Sequence, residues 1–193
     1  DANSPTGAAV GTWVSIAPPP TFFSAISTGR AHACGMPRRD PTNLPASQQV
    51  VCWGLNNAGQ VGDGTIINRN VPTAVTMGAM TFDSSTVVTG AAHSCAVEVL
   101  PTAGQAWCWG SNGSGQLGSA VVNQSNVPAL VTAPVGVLFV RIYAGEFHTC
   151  GLDATGAAYC WGRNTSGELG TGAASASSNV PVAVTGGLLF RSL

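Results

Sequence analysis

Three observations predict an all-β fold assembled from four-stranded antiparallel units the size of propeller blades. Twenty-five glycines and 12 prolines among 193 residues make about one residue in five a turn former, which is a composition of loops and strands. No window of useful length carries apolar residues at the helical period of 3.6, whereas short β-rich runs alternate with Gly, Pro and Asn signals. One constellation of residues recurs three times along the chain. The reading is about three complete blades plus partial strands at both ends.

Composition narrows the functions. Hydrophobic residues make up 45% of the chain and charged residues 8%, enough apolar surface to bury a core. The seven cations are all Arg, the net charge is −1, and no basic run extends beyond Arg38-Arg39. Nucleic acid is therefore not an expected partner, and contact with a membrane is peripheral at most. The uncharged stretch between Glu98 and Arg141 is interrupted every few residues by Gly, Pro, Asn or Gln, so no apolar segment is long enough to span a bilayer as a helix.

The repeat organises everything else. His32-Ala33-Cys34, His93-Ser94-Cys95 and His148-Thr149-Cys150 each follow a Gly three residues before the His. Then come Cys52-Trp53-Gly54, Cys108-Trp109-Gly110 and Cys160-Trp161-Gly162, each running on as W-G-x-N-x-x-G-[QE]-[VL]-G through Gly59, Gly115 and Gly167. Asn-Val-Pro follows at Asn70, Asn126 and Asn179, then Val75, Val131 and Val184, then Phe82, Phe139 and Phe190. A unit of about 55 residues with roughly four short strands has the size of a propeller blade. The glycines of the W-G stretch fit positions of positive φ or close strand approach, and Asn56, Asn112 and Asn164 tolerate left-handed geometry. A phosphate cradle is the weaker alternative, because neither a strand-to-helix transition nor a P-loop Lys accompanies the glycines.

These motifs resemble the regulator-of-chromosome-condensation repeat, with its Gly-x-x-His segment, its Trp-Gly-x-Asn-x-x-Gly-Gln-Leu-Gly segment and the following Pro and Val. The resemblance runs from about Phe23 to Leu193 and implies a β-propeller of four-stranded blades, seven in most members. Relatives include a nucleotide-exchange factor for a small nuclear GTPase, an ultraviolet-B photoreceptor of plants, parts of ubiquitin ligases and a secreted bacterial inhibitor of β-lactamase. The fold is thus a binding platform that does not name its partner. His32, His93 and His148 are expected as buried hydrogen-bonding residues, and Trp53, Trp109 and Trp161 as blade core.

The repeats divide the chain into 1–26, the tail of a preceding unit and a first strand; 27–88, unit one; 89–143, unit two; and 144–193, unit three with the first strand of a fourth. Together they make one incomplete propeller domain. Phe190-Arg191-Ser192-Leu193 align with Phe139-Val140-Arg141-Ile142, so the sequence stops where a fourth unit starts. Closed propellers use about 4–8 blades. The expectation is either a portion of a longer polypeptide or copies joined head to tail, Leu193 of one near Phe23 of the next, as a ring or filament.

All six Cys fall at two fixed points of the repeat. Cys150 and Cys160 flank the turn-forming Asp153-Ala154-Thr155-Gly156, which sets them opposite each other on adjacent antiparallel strands, about 4.5–5.5 Å apart and within disulfide reach. The pairs expected are Cys34–Cys52, Cys95–Cys108 and Cys150–Cys160, and the longer insertions, such as Pro37 to Gln49, enlarge the hairpin loop without moving its stem. Such pairs argue for an oxidising space, extracellular or at the cell surface. A zinc site is the rival, since His-x-Cys puts both side chains on one strand face, but no fourth ligand repeats with the unit. A Cys-His nucleophile built three times over is weaker still.

Sequons stand at Asn112, Asn123 and Asn164, with Asn123, in the variable loop before Asn126-Val127-Pro128, the best glycan site. Asn112 and Asn164 sit at the tight turn, where their side chains serve the backbone. Ala17 to Thr21 and Thr171 to Ser178 read as exposed loops. Trp13 and Trp107 lie outside the repeat register, and Trp107 should face away from Cys108, free to anchor a partner or pack on the next blade.

No cofactor and no enzyme activity is expected: Asp63, Asp83, Glu98, Glu146, Asp153 and Glu168 are scattered singly. The photoreceptor reading lacks the relatives' Gly-Trp-Arg-His-Thr stretch, and the exchange-factor reading fits poorly with paired Cys and absent Lys. The function expected is a disulfide-stapled, glycosylated extracellular or cell-surface module that binds a protein partner or further copies of itself. The alternative is a soluble secreted inhibitor or ligand-binding propeller.

Overall fold

The computed structural model describes residues 23–37, 49–78, 80–83, 85–100, 102–119, 123–174 and 176–192. Trp13, Arg38-Arg39, the Ala17 to Thr21 run, most of the Pro37 to Gln49 insertion and Leu193 lie outside them. The described residues form strands and turns only, in three antiparallel sheets. Blade 1 holds β1 (Phe23–Thr28), β2 (His32–Pro37), β3 (Val51–Gly54) and β4 (Arg69–Ala74) in that order. Blade 2 holds β5 (Thr81–Phe82), β6 (Val88–Thr89), β7 (His93–Leu100), β8 (Ala106–Ser111) and β9 (Gln124–Leu130). Blade 3 holds β10 (Phe139–Ala144), β11 (His148–Asp153), β12 (Ala158–Gly162) and β13 (Ser178–Ala183).

Each sequence repeat is offset from a sheet by one strand: His-x-Cys opens the second strand of a blade, and the Phe that ends a repeat opens the first strand of the next. Phe139 N–H donates to Gly104 O in the β7–β8 turn, and Phe190 N–H donates to Gly156 O in the β11–β12 turn, both at 2.8 Å. The chain therefore passes from blade to blade by docking on the hairpin it has just left.

The first strand of blade 2 differs from the other two. Phe23 to Gly29 and Phe139 to Gly145 span six steps, while Phe82 to Gly90 spans eight. The two extra residues break the strand into β5 and β6, which both pair with β7. Thr86 closes the gap: its hydroxyl bonds to Asp83 O at 2.9 Å and accepts from Val97 N–H at 3.1 Å.

The core lies between blades. Cys34, Met36, Cys52, Val61 and Val75 of blade 1 pack on Phe82, Ala96 and Trp109 of blade 2. Cys95, Val97, Cys108, Leu117 and Val131 of blade 2 pack on Phe139, Ile142 and Trp161 of blade 3. Alternation along each strand thus gives every blade a Cys-bearing trailing face and a Trp-bearing leading face. On the third strands Gly54, Gly110 and Gly162 each take a positive φ, 106°, 102° and 104°, where the ladder to the fourth strand slips. A side chain there would be strained and would press on the carbonyl of the residue before the His.

Candidate interaction surface at the blade joints

The Cys pairs sit directly opposite each other on the second and third strands: Cys34–Cys52, Cys95–Cys108 and Cys150–Cys160 are disulfides with Cα atoms 4.1 Å apart in each. Among the described residues no Cys is free. The bonded sulfurs are not available to a metal or as nucleophiles.

The histidines form an inter-blade relay. His32 Nε2 lies 2.9 Å from Ser94 Oγ of the next blade, and Ser94 Oγ donates to Gln60 O at 2.9 Å. His93 Nε2 lies 3.0 Å from Thr149 Oγ1, which donates to Gln116 O at 3.0 Å. The hydroxyl has one proton and gives it to the carbonyl, so each imidazole must donate through Nε2, and its buried Nδ1, without a partner among the described residues, suits the neutral ring. Burial agrees, pushing His32 down to about 4 and His93 to about 3 from an ordinary 6.5. The same carbonyls accept the indole N–H groups: Trp109 to Gln60 O at 3.0 Å and Trp161 to Gln116 O at 2.9 Å. Histidine, hydroxyl, carbonyl and indole thus close one buried knot at each joint.

The tight loop is built to present that carbonyl. Asn56, Asn112 and Asn164 accept through Oδ1 from the N–H five residues on, at 2.8, 2.9 and 3.0 Å. Gln60, Gln116 and Glu168 accept through their side-chain oxygens from the N–H two residues back, at 2.9, 2.8 and 2.8 Å. The repeated Asn therefore works as a hydrogen-bonding brace, its side chain serving the backbone as expected for Asn112 and Asn164 at the tight turn. Gly59 and Gly115 let the loop lie against the next blade: a Cβ on either would come within 2.9 Å of Asn126 or Asn179. Gly64 and Asn126 seal the contact by exchanging hydrogen bonds of 2.9 and 2.7 Å. The Gly of Gly-x-x-His is needed because the imidazole packs on it, His32 Cε1 lying 2.6 Å from where a Cβ of Gly29 would be.

The third copy has no blade after it among the described residues. His148 is half-buried and its Nε2 has no hydrogen-bond partner among those residues. A Cβ on Gly167 would meet nothing within 4 Å. Arg163 pairs with Glu168 at 2.7 Å and stacks over Phe147. On the opposite side of the molecule Trp53 is half-buried, 5.9 Å from Phe23. Trp107 donates to the buried Glu98 at 2.9 Å and packs beside the core between blades 1 and 2, so it is not a free anchor. Asn123 is exposed, whereas Asn164 is buried with Nδ2 on Ala173 O at 3.2 Å. Among the described residues no cluster of three or more His, Cys, Asp or Glu is placed to hold a metal.

Ser94 and Thr149 were not singled out as functional from the sequence. Their signal is small: the residue between His and Cys is Ala, Ser and Thr in the three copies.

The comparisons with known proteins agree with this geometry. The family model "Regulator of chromosome condensation (RCC1) repeat" matches residues 48–97, 103–152 and 155–188, and a second model of the same description matches 139–168. The human probable E3 ubiquitin-protein ligase HERC4 is 33% identical over 127 residues, which is 66% of this chain and 12% of that protein. The structure of Kap60 bound to yeast RCC1 (Prp20) superposes with a TM-score of 0.69 at 18% identity, covering 89% of this chain and 39% of that one. The ectodomain of the receptor kinase CR4 from Physcomitrella patens gives 0.53 at 24% identity, covering 91% and 37%. The chain spans well under half the length of each.

Proposed function

The chain belongs to the RCC1 repeat family, and from that premise we propose that it is a protein-interaction module working in an oxidising space, outside the cell or on its surface. The observation that carries the reading is that every blade is stapled by its own disulfide. Three bridges at the same two positions of a repeat are of little use where thiols are kept reduced. The exposed Asn123 suits a glycan in such a space. The fold itself imposes no compartment, since its likeness extends both to Prp20 in complex with Kap60 and to a receptor-kinase ectodomain.

A binding role suits the molecule because its polar chemistry is spent on joining blades. The His-hydroxyl-carbonyl-indole knots are buried and structural, and the bonded Cys pairs are inert. What faces outward is loops and blade edges, with apolar residues such as Ile66, Ile67 and Val71 exposed. The test is alkylation of the unreduced protein taken from its native host, read by intact mass. No label before reduction, six after it and a sugar increment at Asn123 are expected. Labelling of all six Cys without reduction would overturn the reading.

A further inference from the structure

The disulfides of blades 1 and 2 are sealed inside the two inner joints, and the side chain two residues before the first Cys of each helps to hold its joint closed. Cys34 and Cys52 are fully buried against Phe82, Ala96 and Trp109 of blade 2, and Cys95 and Cys108 against Phe139, Ile142 and Trp161 of blade 3. Strand alternation puts His32 on the same face of β2 as Cys34, and His93 on the same face of β7 as Cys95. In the first joint one hydroxyl ties the two together: Ser94 Oγ lies 2.9 Å from His32 Nε2 and 3.4 Å from Cys34 Sγ. A reductant can reach these sulfurs only when the blades part.

The same histidines cannot take up a proton cheaply while the joint is closed. Nε2 already donates to a hydroxyl, and Nδ1 of His32 and of His93 is buried with no hydrogen-bond partner among the described residues. A proton added there makes a buried, unanswered donor on a charged ring. Burial is the main influence lowering both histidines, the His93 backbone opposing it at His32, and His32 and His148 are the titratable groups that act on His93. Among the described residues no carboxylate or Arg offsets the charge at either ring. Arg30 and Glu146, in the turns before His32 and His148, are exposed. We propose that each inner joint is a proton-operated cover: protonation of its histidine parts the blades and opens the disulfide two residues along to reduction. The His-x-Cys repeat then has a role that neither zinc nor a nucleophile gives it. The proposal concerns the bridges alone and does not rest on the compartment or binding role proposed above.

Reduction of the oxidised 193-residue chain by a water-soluble phosphine tests this, each new thiol pair being trapped with a maleimide and assigned by peptide mass. Phosphorus bonds to one sulfur as the S–S bond breaks, and the other sulfur leaves as a thiolate and takes a proton. Water then releases the second thiol, and phosphorus ends oxidised as the phosphine oxide. Rates are divided by those of the urea-unfolded chain at the same pH, which removes the pH dependence of the phosphine itself. With a histidine of the open joint titrating near 6.5, both inner bridges should be reduced about 30-fold faster at pH 5 than at pH 7.5. His32→Gln should cancel the gain at Cys34–Cys52 and leave Cys95–Cys108 accelerated, and His93→Gln should do the reverse. Gln keeps an amide donor for the hydroxyl, so both variants should match wild type in tryptophan fluorescence at neutral pH. Wild type alone supplies a second measurement: NMR titration of the imidazole C2–H signals should place His32 and His93 well below the ordinary 6.5. Ordinary titration of either ring, relative rates that do not change with pH, or a gain that each variant lowers equally at both bridges, as global unfolding would, would overturn the proposal.

Discussion

Trp109 and Trp53 occupy the same place in the repeat, opposite the residue between His and Cys, and they lead different lives. Trp109 is fully buried, with its N–H on the preceding blade's Gln60 carbonyl. Trp53 is half-buried, with Phe23 beside it. The histidines show the same contrast from the other side, His93 fully buried and bonded, His148 half-buried. A blade of this type is a connector with two unlike faces, and most of its packing energy resides in the joint. That is the behaviour of quasi-one-dimensional repeat proteins, where nearest-neighbour terms dominate.

The largest effect should come from the tryptophans. Trp109→Ala or Trp161→Ala removes a fully buried ring and an indole hydrogen bond and should cost about 3–5 kcal/mol. Trp53→Ala should cost roughly 1–2 kcal/mol, in proportion to its partial burial. Urea melts of the three variants measure the difference. Equal losses would break the distinction between inner joint and outer face.

The disulfides sharpen the same contrast. Their loops of 18, 13 and 10 residues are each worth about 3 kcal/mol by loop entropy alone. Cys95 and Cys108 are fully buried against blade 3, while Cys150 is half-buried. Paired replacement by Ala should therefore cost more at Cys95/Cys108, where a cavity adds to the lost constraint, than at Cys150/Cys160. Thermal melts of the two double variants decide it.

Acid should open the inner joints first. The folded pKa values of His32 and His93, about 4 and about 3, lie below the ordinary 6.5, so between these limits the unfolded chain binds more protons. Their contribution to stability is complete above pH 6.5 and falls as the pH drops toward 4. Protonation leaves the Nε2 donor in place but puts a second N–H on a buried Nδ1 that has no hydrogen-bond partner among the described residues, and it sets His32 and His93 in repulsion. His148 is lowered as well, chiefly by burial, with Arg163 lowering it and Glu168 raising it. Replacing His93 by Gln should flatten the fall of Tm below pH 6.5 more than the same change at His148.

Much of the blade was legible in the sequence because the repeat averages over local accidents. Phe, Gly-x-x-His, Cys-Trp-Gly and Asn-Val-Pro mark successive strands, and hairpin geometry places each Cys opposite its partner. What stayed hidden depends on contacts between units. Thr86 closing the broken first strand of blade 2, Glu98 holding Trp107, and the Gln60 and Gln116 carbonyls are backbone or long-range features with no fixed residue signal. Trp53 carries the same motif as Trp109, so sequence could not separate the half-buried copy from the buried one.

The smallest effect is the most diagnostic. Ser94→Ala and Thr149→Ala each delete a hydroxyl that serves both a histidine and a carbonyl. Either should destabilise by about 1–3 kcal/mol, because the buried imidazole donor left behind has no water to turn to. Ala33→Ser adds the same hydroxyl at a face with no joint among the described residues and should leave the stability of the dilute chain within about 0.5 kcal/mol of wild type. If Ala33→Ser stabilised the isolated chain as much as Ser94→Ala weakens it, the hydroxyl would be acting within its own strand. The relay would then be a by-product of packing, and the chemistry of the joint would have to be sought in the indole and the carbonyl alone.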